Sequence, residues 1–131
     1  YEATGLSLRA HPLAFARRGL SDRGVRPLRD LHDEQAAGTG SRIAVAGVVL
    51  VRQRPSTASG VVFFTIEDET GVGNLIVRPT VYERYRRLAR HSSVVVASGR
   101  VERSQGVVHL LVERFDSADA APKGARARDF R

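Results

Sequence analysis

The chain has 131 residues, enough for one compact domain with flanking segments, and carries a formal charge of +7. That balance favours a polyanionic partner such as nucleic acid. With no cysteine, disulfides and thiolate metal sites are excluded, and the four histidines, His11, His32, His91 and His109, lie too far apart for metal-ligand spacing.

No apolar run approaches the roughly 18 residues of a membrane span, and with no signal peptide expected a cytoplasmic setting is the default expectation. The opening on Tyr1, in mid-pattern and without an initiator methionine, suggests a fragment or processed chain. All but one of the 21 basic residues are arginine, and Ala, Val and Gly abound. That bias reflects a GC-rich genome as much as guanidinium chemistry.

Three zones follow in chain order. Residues 1–40 are expected to form a helical segment and linker, with Pro12 opening a helix through about Leu20. A short helical piece follows Pro27, over Leu28 to Leu31, and "AAGTGS" reads as the linker. Residues 41–115 are β-rich. "RIAVAGVVLVRQR" is a long first strand with Gly47 in its middle, where a bulge or sharp bend is expected. "VVFFTIED" and "GNLIVRP" are the second and third strands, joined by the Glu69–Thr70–Gly71 turn. Pro79 ends the third strand, Thr80 and Glu83 form a capping box, and Val81, Tyr85 and Leu88 mark one helical face. "SSVVVASGRVER" and "GVVHLLVERF" are strands four and five around Ser104–Gln105–Gly106. Residues 116–131 read as a flexible polar tail.

Three strands, a helix and two strands, with a long bent first strand, is the plan of the OB-fold, a five-stranded Greek-key barrel. An SH3-like barrel does not ordinarily carry a helix of that length between strands three and four.

Two adjacent phenylalanines on strand two are informative, because successive strand residues face opposite ways. Val62, Phe64 and Ile66 form an apolar inward set, leaving Val61, Phe63, Thr65 and Glu67 outward. On strand one the same sorting sends Val45, Gly47, Val49 and Val51 inward and Leu50, Arg52 and Arg54 outward. On strand three Leu75 and Val77 point in, and Asn74, Ile76 and Arg78 point out. The expected groove therefore holds Phe63, Thr65 and Asn74 with Arg52, Arg54 and Arg78, extended by Arg100 and Arg103 of strand four. An aromatic ringed by guanidinium groups suits a single strand, with a base on the ring and arginines at phosphates. The competing reading packs Phe63 under the Pro55–Gly60 loop or the N-terminal segment. That loop, flanked by Arg52 and Arg54, can wrap a phosphodiester backbone or form a plain hairpin tip.

Glu67, Asp68 and Glu69 read as an acidic turn start, with Gly71 at positive φ, rather than as a metal site. His109, alternating with Leu111, reads as a strand-surface residue. There is no Ser/His/Asp or Cys/His set, no P-loop and no paired catalytic carboxylate, so this chain alone is expected to catalyse nothing.

"GLSLRAHPL", "VAGVVLVRQRPSTASGVVFFTIEDETGVGNLIV" and the terminal "RDFR" resemble the C-terminal region of bacterial C-family DNA polymerases. The likeness is to the error-prone, damage-inducible alpha-subunit type and covers nearly the whole chain. It implies a parent enzyme for translesion synthesis, with phosphoesterase-like, palm, thumb and finger domains upstream of Tyr1. The polymerase aspartates and their Mg²⁺ would lie there, so no cofactor is expected in this piece. It also implies a single-stranded DNA template as partner, handled by the OB domain near the active site of a nucleoid-associated enzyme. Anticodon-binding OB domains of aminoacyl-tRNA synthetases are a more distant likeness, implying base stacking at Phe63 and a polar base contact at Asn74. The alternative function is a protein-interaction module docking accessory translesion proteins and, through them, the sliding clamp. Fold alone does not separate the two.

Overall fold

The computed structural model describes residues 11–55 and 59–117. The elements run α1 (Pro12–Asp22), β1 (Val25–Arg26), α2 (Leu28–Leu31), β2 (Arg42–Gln53), β3 (Val62–Asp68) and β4 (Gly71–Val77). The segments α3 (Pro79–Arg84) and α4 (Arg86–His91), β5 (Val94–Ser104) and β6 (Val107–Ser117) complete the chain. The loop tip at 56–58 and the tail beyond Ser117 lie outside the described residues.

The long β2 closes the barrel because it belongs to two ladders. Arg42–Val48 pair antiparallel with β5, and Val48–Gln53 pair antiparallel with β3. The handover falls at Val48, next to Gly47, where a Cβ would lie 2.9 Å from Ile66 Cβ and 3.0 Å from the Glu67 backbone. Only a residue without a side chain allows that approach. The sheet continues β3–β4–β6–β5, with a parallel β4–β6 pairing at Leu75↔Leu110 and Ile76↔Leu111. Strands β2–β6 thus form the five-stranded OB barrel that the strand order implied.

Alternation fills it. Val62, Phe64 and Ile66 of β3 are buried, as are Leu75 and Val77 of β4 and Leu110 and Val112 of β6. Phe64 meets Phe115 with ring centroids 5.6 Å apart, and Tyr85 lies edge-on to Phe115 at 6.2 Å. These rings close the barrel end nearest the start of β3, under the helical segment 79–91. Val81, Tyr85 and Leu88 face that core as expected. The expected capping box does not form: the N-cap is Arg78 with no side-chain bond, and Pro79 already occupies the first helical turn. Thr80 therefore lies inside the helix, where its hydroxyl has no free N-cap position to fill.

At the opposite end α2 is the plug. Leu28 and Leu31 are fully buried, and a Cβ on Gly73 would sit 2.7 Å from Leu28 Cδ2. The stretch expected to be a linker is bound along the barrel. Ala37 is buried, Gly40 N–H donates to Val101 O and Val101 N–H donates to Ser41 O, both at 2.8 Å.

A second apolar cluster covers the outside of β2 and β5, where Leu13 and Leu20 of α1 and Val25 of β1 pack on Ala46 and Val96. The two-residue β1 pairs parallel with Ala44 and Val45, on the half of β2 that β3 does not reach. A strand that short leaves no periodicity in sequence, and it was not expected. The N-terminal segment is also clasped to the β3–β4 turn. Asp68, fully buried, accepts from Thr70 N and Oγ1 and Gly71 N on one oxygen, and from Leu28 N and Arg17 Nη2 on the other. Arg17 adds a bidentate contact to Glu69, Nε at 2.7 Å and Nη2 at 3.0 Å. The acidic turn is thereby committed to structure, with Gly71 at φ 153°. Among the described residues no group of three or more His, Cys, Asp or Glu could hold a metal ion.

Candidate nucleic-acid interface

Directly paired residues of neighbouring strands share a face. Following the pairings around the outside gives one row: Gln53↔Phe63, Phe63↔Ile76, Ile76↔Leu111 and Leu111↔Arg100. Phe63, Ile76 and Leu111 are each partly exposed, and Arg100 is exposed. The centre of the row is an apolar strip three strands wide, flanked by a carboxamide and a guanidinium. A second row runs beside it through Val51↔Thr65 and Thr65↔Asn74, with Thr65 Oγ1 3.4 Å from Asn74 Oδ1. Phe63, Thr65 and Asn74 thus stand together on the expected outer face.

The arginines do not all join them. A β-bulge between Val49 and Val51 shifts the register of β2 by one residue, so everything after it turns over. Val51, expected inside, faces out opposite Thr65 and is 43% exposed. Arg52, expected outside, pairs opposite the inward Phe64, with its guanidinium 5.4 Å from that ring centroid. Its Nε donates to Ala89 O at 2.7 Å and its Nη2 to Ser92 O at 2.5 Å. Arg52 therefore caps the C-terminus of α4 and is not a groove arginine. Gln53 takes its place beside Phe63.

Arg54 lies over the Tyr82 ring at 4.6 Å, on the helix side of the strand end. Arg103 is turned towards the plug and donates to Leu31 O at 2.9 Å and Ala37 O at 2.8 Å. It shares the inward-facing set with Val101, and its length lets it bind the carbonyls at the end of α2. Arg78 and Arg100 remain at the outer surface. Arg100 Nη2 lies 3.8 Å from Glu113, which also receives Arg42 Nε at 3.1 Å. Hydrogen bonding from Arg42, with Arg100 and Arg78 nearby, holds the Glu113 carboxyl below its ordinary range. Leu111 was missing from the expected site, although its alternation with His109 placed it on the outer face. His109 itself pairs with Glu102 at 3.2 Å.

A closed Greek-key barrel with a stackable outer strip is the build of an oligonucleotide-binding module. The chain belongs to the OB-fold nucleic acid binding domain family, whose model matches residues 43–117. Its similarity to particular proteins extends beyond the barrel. It is 47% identical over 131 residues to the error-prone DNA polymerase of Anaeromyxobacter dehalogenans, covering 99% of this chain and 11% of that protein. The error-prone DNA polymerase of Caulobacter vibrioides is 45% identical over 120 residues, 92% of this chain and 11% of that protein. The chain thus spans about a tenth of these relatives. Among solved structures, asparaginyl-tRNA synthetase from Pyrococcus horikoshii superposes with a TM-score of 0.49 at 24% identity, over 60% of this chain and 20% of that one. No helix among the described residues is long and apolar enough to cross a membrane.

Proposed function

We propose that this domain binds the single-stranded template DNA of an error-prone polymerase during damage-tolerant synthesis, in the cytoplasm at the nucleoid. The row Phe63–Ile76–Leu111 carries the reading: an apolar strip wide enough for unpaired bases, on a chain of charge +7. Base faces stack on the strip, Gln53, Thr65 and Asn74 supply adaptable polar contacts, and Arg78 and Arg100 meet phosphates. The similarity to error-prone polymerases over nearly the whole chain supports the parent activity. The polymerase carboxylates and Mg²⁺ belong to that parent, and the strip needs neither, so chelation leaves binding unchanged. Docking of accessory translesion proteins or a clamp on the same face is the competing outcome.

A titration of labelled oligo-dT against a duplex of equal length tests the reading. Each stacked base contributes roughly 1–3 kcal/mol, and bases held in a duplex cannot reach the strip. The single strand is expected to bind about tenfold tighter or better. Equal affinities would refute it.

A further inference from the structure

The arginines that left the groove gather elsewhere. At the end of the barrel nearest Gln53, a cleft of about 430 Å³ is lined by Arg54, Tyr82, Glu83, Arg86 and Arg90. Arg86 and Arg90 stand one turn apart on α4, and Arg87 lies exposed between them. On the strand side the lining residue is Arg54, and near the start of α3 Gly60 packs on Pro79: a Cβ there would sit 3.2 Å from Pro79 Cγ.

Two features separate this cleft from an ordinary solvated basic face. The first is the lack of neutralising partners. The larger cleft of about 540 Å³ beside β5 also holds four arginines, but two of them are spent. Arg26 binds Asp30 and Ala36 O, and Arg42 binds Glu113. Among the described residues the sole carboxylate lining the smaller cleft is Glu83, 3.7 Å from Arg86, an exposed pair of little energetic weight. Arg90 has no side-chain partner among the described residues. The second feature is order. Arg54 is held over the Tyr82 face at 4.6 Å, which fixes its guanidinium and leaves that ring face unavailable to a base. A site with one guanidinium held over a ring face and two more with little neutralisation recognises phosphate rather than bases.

Position gives the ligand. Gln53 flanks Phe63 in the stacking row, and Arg54 is the next residue, just past the end of that strand. We infer that the Arg54–Arg86–Arg90 cleft is a second nucleic-acid site, taking the phosphodiester backbone of the same DNA where it leaves the stacking row around the barrel edge. The inference rests on the proposed single-strand reading of that row. The backbone can belong to a continuing single strand or to adjoining duplex, since both present the same phosphates.

The test uses the 131-residue chain and its Arg86→Gln/Arg90→Gln variant, with fold checked by circular dichroism. Ligands are oligo-dT of about four nucleotides, oligo-dT of about sixteen, and the short oligo-dT joined to a duplex, lengths spanning the usual site size of an OB barrel. Losing two phosphate contacts shallows the slope of log K against log salt by about 1.4, about 25-fold in affinity near 0.1 M salt. That loss is expected for the long strand, the duplex-joined ligand or both, and which of them shows it identifies the source. The four-nucleotide ligand is expected to be unaffected. Unchanged affinity for every ligand overturns the cleft, as does an equal loss on the shortest. Phe63→Ala in parallel keeps the two readings apart: if it changes nothing while Arg86→Gln/Arg90→Gln weakens the long ligands, the strip fails and the cleft stands.

Discussion

Arg52→Ala is expected to destabilise the fold and to leave the salt dependence of binding intact. Arg52 donates from Nε to Ala89 O and from Nη2 to Ser92 O, at the C-terminus of α4. The first bond is partly buried and, as a charged donor to a carbonyl, contributes about 1–1.5 kcal/mol; the second, exposed, contributes about 0.5. The guanidinium over Phe64 at 5.4 Å adds roughly 0.5–1 kcal/mol. Together the loss is about 2–3 kcal/mol, or roughly 6–15 °C in Tm for a chain of this length. Thermal and urea unfolding followed by far-UV circular dichroism measure it. Oligo-dT titrations of the same variant at several salt concentrations are expected to keep the parent slope. An unchanged Tm with a slope shallower by about 0.7 would make Arg52 a phosphate contact and refute the bulge argument.

Phe64→Ala should cost about 3–5 kcal/mol by urea unfolding, since it empties the barrel end where Phe115 and Tyr85 meet, whereas Phe63→Ala should cost under about 1 kcal/mol. Asp68→Ala removes the acceptor of five donors, three of them backbone N–H groups, and should cost at least about 4 kcal/mol, visible as loss of folded protein at 37 °C. The hydrogen bonds of Arg17 hold the Glu69 carboxyl below its ordinary value of 4.5. The stabilisation from that pair is therefore complete above about pH 4.5 and is lost as pH falls through the lower folded value. In Glu69→Gln the urea midpoint should accordingly vary less between about pH 5 and pH 3 than in the parent chain.

The barrel and its outer strip were legible because strand period and residue type agree along β3 and β4. Phe63, Thr65 and Asn74 follow from that alternation without correction. Arg52 does not, because a bulge adds a residue without any compositional mark, and one added residue reverses every later side chain. Gly47 was the natural place to expect it. The glycine instead serves the close crossing of β2 over Ile66, and the bulge falls three residues on, at Leu50. Arg103 was legible and missed: it shares parity with the buried Val101, so alternation turns it inward. The clasp of Arg17 to Asp68 and Glu69 was not legible, because contacts about fifty residues apart leave no local pattern. That the stretch 36–41 lies bound along the barrel was not legible for the same reason, since β5 supplies Val101 and Arg103 as partners.

The central claim is that the outer strip stacks unpaired bases, and affinity of Phe63→Ala for oligo-dT across a salt series tests it most directly. Removing the ring should weaken binding by about 1–3 kcal/mol, roughly 5- to 150-fold, while the slope of log K against log salt stays as in the parent chain, because a stacked base releases no counterion. A folded Phe63→Ala variant that binds oligo-dT as tightly as the parent would contradict it.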